Sequence, residues 1–168
     1  MLTKNSFAAE EWNTLRDTPY LVGLATLVAE PSGLGTIKES IAIAMGLREN
    51  QASEVPLIRD ITNVAETQAA QNSLRGRFTG SQAPLSKDVI QDLALEHARS
   101  SIAILSGKAG SGEIDAYRKL LYGLADKVAN ASREGGILGF GGKAVSAAEQ
   151  TLLDDLQNAI GFERAKKA

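Results

Sequence analysis

The sequence EIDAYRKLLYGLADKVANASR, residues 113–133, carries the clearest structural signal in the chain. Its inward-facing candidates follow one another at steps of three and four residues: Ile114, Tyr117, Leu121, Leu124, Val128 and Ala131. This spacing aligns them on one face of an α-helix and is typical of a helix that packs nearly parallel or antiparallel to a neighbour. It predicts a helix from about Glu113 to Arg133 inside a bundle.

Apolar residues recur at helical spacing along most of the chain, whereas the alternating pattern of a half-buried β-strand is hard to find. The pattern and its breaks predict helices over about Ala9–Glu30, Gly35–Glu49, Pro56–Arg75, Ser86–Ser106, Glu113–Arg133 and Ser146–Ile160. Short connections favour antiparallel neighbours. We therefore predict an all-α fold, a single-domain bundle of about six helices over residues 1–168. We expect the Glu113–Arg133 helix to be central and residues 1–7 and 162–168 to be frayed.

Capping residues mark several of these helix ends. Ser86 is a favourable N-cap for the fourth helix, and Ser146 with Glu149 has the spacing of a capping box before the sixth. Gly161 can end the sixth helix. Pro19 interrupts the first helix, because proline lacks a backbone N–H and clashes with the preceding turn, so we expect a kink or a restart there.

Two helices have less regular core faces. In the second we expect these residues to point inward: Ile37, Ile41, Ala44 and Met45. In the third the inward set is Leu57, Ile61, Val64 and Ala65, and the same spacing continues through Gln68, Gln71, Asn72 and Arg75. A face that turns polar either projects beyond the bundle or lines a wet site, and we favour the projection.

The composition excludes several classes of protein. The chain contains no cysteine, so it forms neither disulfides nor thiolate-based metal or catalytic sites. Its formal net charge is −2 with both signs interspersed, which offers nucleic acid no broad basic surface. The longest apolar stretch, Tyr20–Ala29, is about half the roughly twenty residues of a membrane span, and residues 1–7 show no secretory signal. We expect a cytoplasmic protein that binds neither nucleic acid nor membrane.

A glycine-rich loop, GGILGFGG at residues 135–142, precedes the last predicted helix. Glycine permits unusual backbone angles, and the large apolar side chains between the glycines give the loop something to bury, so a structural turn is favoured. Two phosphate-binding motifs fail here, since no strand precedes the loop and glycine stands at the lysine position of a P-loop. The alternative is an anion or small-ligand site on Gly136, Gly139, Gly141, Gly142 and Lys143.

His97 is the single histidine. On the core face of the predicted fourth helix it fits a hydrogen-bonded core residue better than a general base. The catalytic alternative needs a partner, and Ser100, Ser101 and Asp92 are only loosely placed for that role. One histidine also cannot supply the two Glu-x-x-His units of a di-iron bundle. We therefore predict no catalytic residue, no metal site and no cofactor.

Three stretches are distinctive in combination. They are EEW at 10–12 with Leu15 and Pro19; EPSG at 30–33 with KES at 38–40; and Tyr117-Arg118, then EGGILGFGG at 134–142, with VS at 145–146 and Glu149. Together they resemble an uncharacterised family of small all-helical bacterial proteins. This resemblance implies a bacterial cytosolic helical domain and transfers no catalytic residue, because that family has no established activity.

The last predicted helix is also similar to that of TerB-like tellurite-resistance domains. The similarity rests on Val145-Ser146, Glu149, Leu152-Leu153 and Leu156. Those domains place acidic metal ligands beside such turns, whereas here only Glu134 precedes the loop and glycines follow it. The resemblance therefore carries over no metal site.

Three functions are compatible with these observations. The first is a non-enzymatic cytosolic interaction or stress-associated helical module, for which a homodimer is one option. The second is a small-molecule or anion-binding protein that uses the Gly135–Gly142 loop. The third, a hydrolase-type enzyme using His97, ranks last. We favour the first because the sequence shows no convergent catalytic set.

Overall fold

The all-α fold predicted from the sequence is confirmed by the structure, a computed structural model that describes residues 1–29, 36–80, 86–131 and 145–163. Within these ranges the chain forms seven α-helices and no β-strand. They are α1 (Ala9–Ala29), α2 (Thr36–Glu49), α3 (Pro56–Thr62), α4 (Val64–Thr79), α5 (Lys87–Ser106), α6 (Ser111–Ala131) and α7 (Ala147–Ile160). Single 3₁₀ turns stand at Lys4–Ser6 and Asn50–Ala52.

Helix α1 lies at the centre of the bundle, where we had expected the helix of residues 113–133. It contacts all six other helices and packs most extensively against α5, whereas α6 packs mainly against α2 and α1. Buried residues cover most of the circumference of α1, as expected for a helix with neighbours on several sides. A long helix with several small residues can be approached closely from many directions, which suits α1 to this position.

The predicted helix Pro56–Arg75 is two helices, which accounts for the seventh. The break is at Asn63, whose backbone is extended at φ −62° and ψ 158°. Its side-chain oxygen accepts a hydrogen bond from the backbone N–H of Glu66 at 2.9 Å. Asparagine is a preferred N-cap because this bond satisfies one of the N–H groups left open at a helix start. The cap at Asn63 thus starts a new helix where the sequence pattern predicted a continuous one.

The break at Asn63 changes which face of α4 is buried. Val64, predicted to point inward, is 60% exposed, and Ala65 is exposed too. The face that packs on α1 instead carries Glu66, Ala70 and Leu74. The polar residues Gln68, Asn72 and Arg75 simply face solvent while α4 remains in the bundle.

Helix α2 also turns a different face inward from the predicted one. Ala42, Ile43 and Leu47 are buried and pack with Leu124 and Val128 of α6. The residues predicted to be inward point out: Ile41 is 52% exposed, Met45 is 50% exposed and Ala44 is exposed. The side chain of Ile37 lies outside the described residues.

Helix α2 approaches α6 closely at Gly46. A Cβ atom there would lie 2.5 Å from Leu124 Cδ1, the end of a flexible side chain, so a larger residue would require Leu124 to shift. Gly46 is buried on the same face as Ala42, Ile43 and Leu47, which packs against α6. Glycine at this position lets that face lie close to α6.

Helix α1 continues through Pro19, where a kink or restart was expected. Proline donates no hydrogen bond, so the carbonyl of Leu15 four residues earlier has no helical partner. The buried hydroxyl of Tyr117, on α6, donates to that carbonyl at 2.9 Å. Thr18 also donates from its side chain to the carbonyl of Thr14 at 2.7 Å. A tertiary contact from α6 thus satisfies the acceptor that Pro19 leaves open.

The predicted caps are confirmed at three helix ends. Ser86 accepts from the backbone N–H of Val89 at 3.3 Å, and Ser146 and Glu149 form a capping box before α7. Gly161 ends α7 in the left-handed conformation, with φ +61°. These signals are local, which is why the sequence alone identifies them.

Residues 1–7 and 162–168 were expected to fray; residues 164–168 lie outside the described residues, and the described part of each end makes tertiary contacts. Leu2 N donates to Glu113 Oε1 at 2.5 Å, and Lys4 N donates to Asp60 Oδ2 at 3.0 Å. At the other end, the ring of Phe162 stacks on Tyr122 with 5.0 Å between centroids. None of the helices in the described ranges has the length and apolar character of a membrane span.

Candidate functional site

The glycine-rich loop at residues 135–142 and Lys143 lie outside the described residues. The anion site predicted on Gly136, Gly139, Gly141, Gly142 and Lys143 therefore stays a prediction. The two candidate sites within the described ranges are the surroundings of His97 and a groove between α2 and α6.

His97 is half-buried on α5 and faces α4. Arg77 NH1 lies 3.0 Å from His97 Nε2, and because arginine only donates, Nε2 accepts and the ring proton is on Nδ1. That Nδ1 is buried without a hydrogen-bond partner in the described structure. Burial lowers the pKa of His97 and Arg77 lowers it further, against weaker opposite effects of Asp17 and Glu96. Burial and Arg77 both favour the uncharged ring.

The predicted catalytic partners do not meet the ring of His97. Ser101 is fully buried, with its Oγ 2.9 Å from Thr18 Oγ1, and Ser100 is exposed. Asp92 lies in a separate polar cleft between α5 and α7. Nucleophilic catalysis needs a base hydrogen-bonded to its nucleophile, and the described contacts of the His97 ring contain no such bond. The arrangement is that of a structural Arg–His pair.

Two buried carboxylates, which the sequence did not identify, lie between α1 and α4. Asp17 Oδ1 accepts from Arg16 Nε at 2.7 Å, and Asp17 Oδ2 accepts from the Ser73 hydroxyl at 2.8 Å. Arg16 and Asp17 are neighbours in the sequence, a pattern typical of an exposed ion pair, so the sequence does not indicate that Asp17 is buried. Its burial depends on α4, whose orientation is set by the break before it.

The second buried carboxylate, Glu66, joins α4 to the N-terminal residues. Its oxygens accept from Lys4 Nζ at 2.5 Å and from Trp12 Nε1 at 2.9 Å. Burial raises the pKa of Glu66, but these hydrogen bonds outweigh the burial and hold the pKa below its ordinary value. Because protein donors satisfy both carboxylates, the cluster is suited to holding helices together.

The groove between α2 and α6 is an open feature of the described surface and carries large apolar side chains. It has a volume of about 590 Å³ and includes Ile41 and Met45 on one wall and Gly123 on the other. Ile41 and Met45 are one helical turn apart and about half exposed. A Cβ atom at Gly123 would have no neighbour within 4 Å. The groove thus combines an apolar ridge with a recess that no side chain fills.

Charged residues border the groove on both helices. Lys127 donates to Glu49 and so joins α6 to α2 across it. Arg48 is exposed one turn beyond Met45, and Asp126 stands one turn beyond Gly123. In the part of the chain that the structure describes, neither Arg48 nor Asp126 forms an ion pair. Among the described residues, Arg48 and Asp126 are thus a cation and an anion beside the groove that can pair with charges on another molecule.

The described ranges contain no group of three histidine, aspartate or glutamate side chains that could hold a metal ion. Comparison of the chain with family models, curated proteins and solved structures finds no match. The resemblances to a bacterial helical family and to TerB-like domains therefore stay predictions.

Proposed function

We propose that this protein is a non-enzymatic interaction module of the cytoplasm and that it binds its partner through the α2–α6 groove. The observation that supports this most is the pair of half-exposed apolar side chains, Ile41 and Met45, beside an unfilled recess. Single exposed apolar residues are common on protein surfaces, whereas adjoining ones around a groove are typical of binding sites. A chain with no cysteine is also suited to the reducing cytoplasm.

The energetics favour a partner over solvent at this groove. Full burial of a side chain of this size contributes about 1.5–3 kcal/mol, so covering the exposed half of each contributes roughly 1 kcal/mol. The buried half of each side chain contributes to the fold by a similar amount, roughly 1 kcal/mol, which is small against a total stability of about 5–15 kcal/mol. Substitution at these positions is therefore expected to weaken binding without unfolding the protein.

Site-specific photo-crosslinking in the cells that make the protein tests the proposal. A photo-reactive amino acid at position 45 is expected to give a discrete covalent adduct. The matched control is position 89, where Val89 is exposed to a similar degree, 49%, but lies on α5. An adduct from position 45 alone supports the groove. The proposal is wrong if position 45 gives no adduct or if both positions give the same ones.

A further inference from the structure

We infer that the partner bound by the α2–α6 groove is a second copy of this chain, related to the first by a two-fold axis. This inference rests on the proposed function, because it names the occupant of the same groove. A two-fold contact brings a surface against itself, so that surface must be self-complementary. Both the shape and the charges of the groove meet this condition.

The shape is complementary because a projection and a recess stand side by side. Ile41 and Met45 form a ridge on α2, and Gly123 leaves a recess on α6. In a two-fold pair, the ridge of each copy can enter the recess of the other. The two-fold axis makes this contact occur twice, and each copy supplies the ridge in one contact and the recess in the other.

Within the described residues, no packing contact requires a glycine at position 123. It lies within α6, where an exposed glycine costs about 0.5–1 kcal/mol of stability relative to alanine. At Gly46 that cost is offset by a close helix contact, but around Gly123 the space is open. Close approach of a second copy provides the missing reason for a glycine at this position.

The charges are complementary in the same way. Arg48 borders the ridge and Asp126 borders the recess, and each lacks an ion pair among the described residues. A two-fold contact can place Arg48 of each copy beside Asp126 of the other, so that both pairs form together. The formal net charge of −2 per chain is too small to oppose such an association strongly.

Sedimentation equilibrium combined with a charge exchange tests the inference. The wild-type chain, measured at low salt from about 1 μM to about 500 μM, is expected to pass from 17.7 kDa to twice that mass. Arg48→Glu and Asp126→Lys each place like charges together at both ends of the contact, so each is expected to raise the dimer Kd about tenfold. The double variant is expected to restore the Kd to within about threefold of the wild-type value.

A charge reversal elsewhere provides the control. Arg99 is exposed on α5, and Arg99→Glu is expected to leave the dimer Kd unchanged. The inference is overturned if the wild-type chain stays monomeric, if Arg99→Glu weakens the dimer as much as Arg48→Glu, or if the double variant fails to recover. A monomeric chain whose position 45 still crosslinks to another protein overturns the second copy and leaves the proposed function standing. A monomeric chain without any crosslink overturns both.

Discussion

Removing the Tyr117 hydroxyl is expected to destabilise the protein through a carbonyl on another helix. The hydroxyl donates to the carbonyl of Leu15 at 2.9 Å, and Tyr117 is fully buried. Pro19 cannot supply the usual helical donor to that carbonyl. Tyr117→Phe therefore leaves a buried acceptor without a partner, which costs about 1–3 kcal/mol in the free energy of unfolding. Total stabilities of single domains are only about 5–15 kcal/mol, so this loss is easily measured.

A double-mutant cycle separates this mechanism from a general loss of packing. Pro19→Ala restores a backbone N–H four residues after Leu15, so the carbonyl gains a helical partner. In that background Tyr117→Phe is expected to cost at least about 1 kcal/mol less than in the wild type. Any other contribution of the Tyr117 hydroxyl is lost in both backgrounds and cancels in the cycle.

Urea unfolding of the four proteins measures the coupling energy. Tyr20→Phe serves as the control, because it removes a tyrosine hydroxyl from a half-buried position on α1, the helix that carries Leu15 and Pro19. The reasoning is refuted if Tyr117→Phe costs the same free energy with proline and with alanine at position 19. It is also refuted if the control costs as much as Tyr117→Phe.

Two further predictions concern pH and close packing. Burial and Arg77 lower the pKa of His97 in the folded protein, so the unfolded chain, with a pKa near 6.5, binds the proton more readily. The free energy of unfolding is therefore expected to decrease as the pH drops below about 6.5. In His97→Gln this decrease, measured by urea midpoints, is expected to be smaller than in the wild type. An equal decrease in the two proteins would contradict the prediction. A Cβ at Gly23 would lie 2.9 Å from Cγ1 of the β-branched Ile43, so Gly23→Ala is expected to cost about 1–3 kcal/mol. Gly76→Ala, with open space around it, is expected to stabilise α4 by about 0.5–1 kcal/mol, and a shift of both glycine variants in the same direction would count against the packing argument.

Local signals explain what the sequence predicted well. Helix type follows from spacing, and the ends at Ser86, Ser146 and Gly161 follow from the chemistry of a few adjacent atoms. Asn63 carried the same kind of signal, but the apolar spacing on both sides of it suggested one continuous helix. The polar residues of α4 were consequently expected to project beyond the bundle, although α4 stays packed and a different face of the helix is the buried one.

Tertiary partners decide what local signals cannot. Whether Pro19 ends a helix depends on whether another element satisfies the Leu15 carbonyl, and Tyr117 is more than a hundred positions away in the sequence. The burial of Asp17 and Glu66 likewise depends on donors from other elements, Ser73 and Lys4. No spacing within one helix contains this information.

The groove could not be predicted from the sequence either, because it depends on which face of α2 is buried. Residues 41–47 read IAIAMGL, which is apolar around the whole helix, so periodicity cannot choose which face is buried. Ile41 and Met45 were expected inside, but Ile43 and Leu47 are similarly large and are the residues that are buried. They share their face with Gly46, which lets α2 lie close to Leu124 of α6. Ile41 and Met45 are left half exposed on the other face, and a partner that covers this ridge would offset the cost of exposing it.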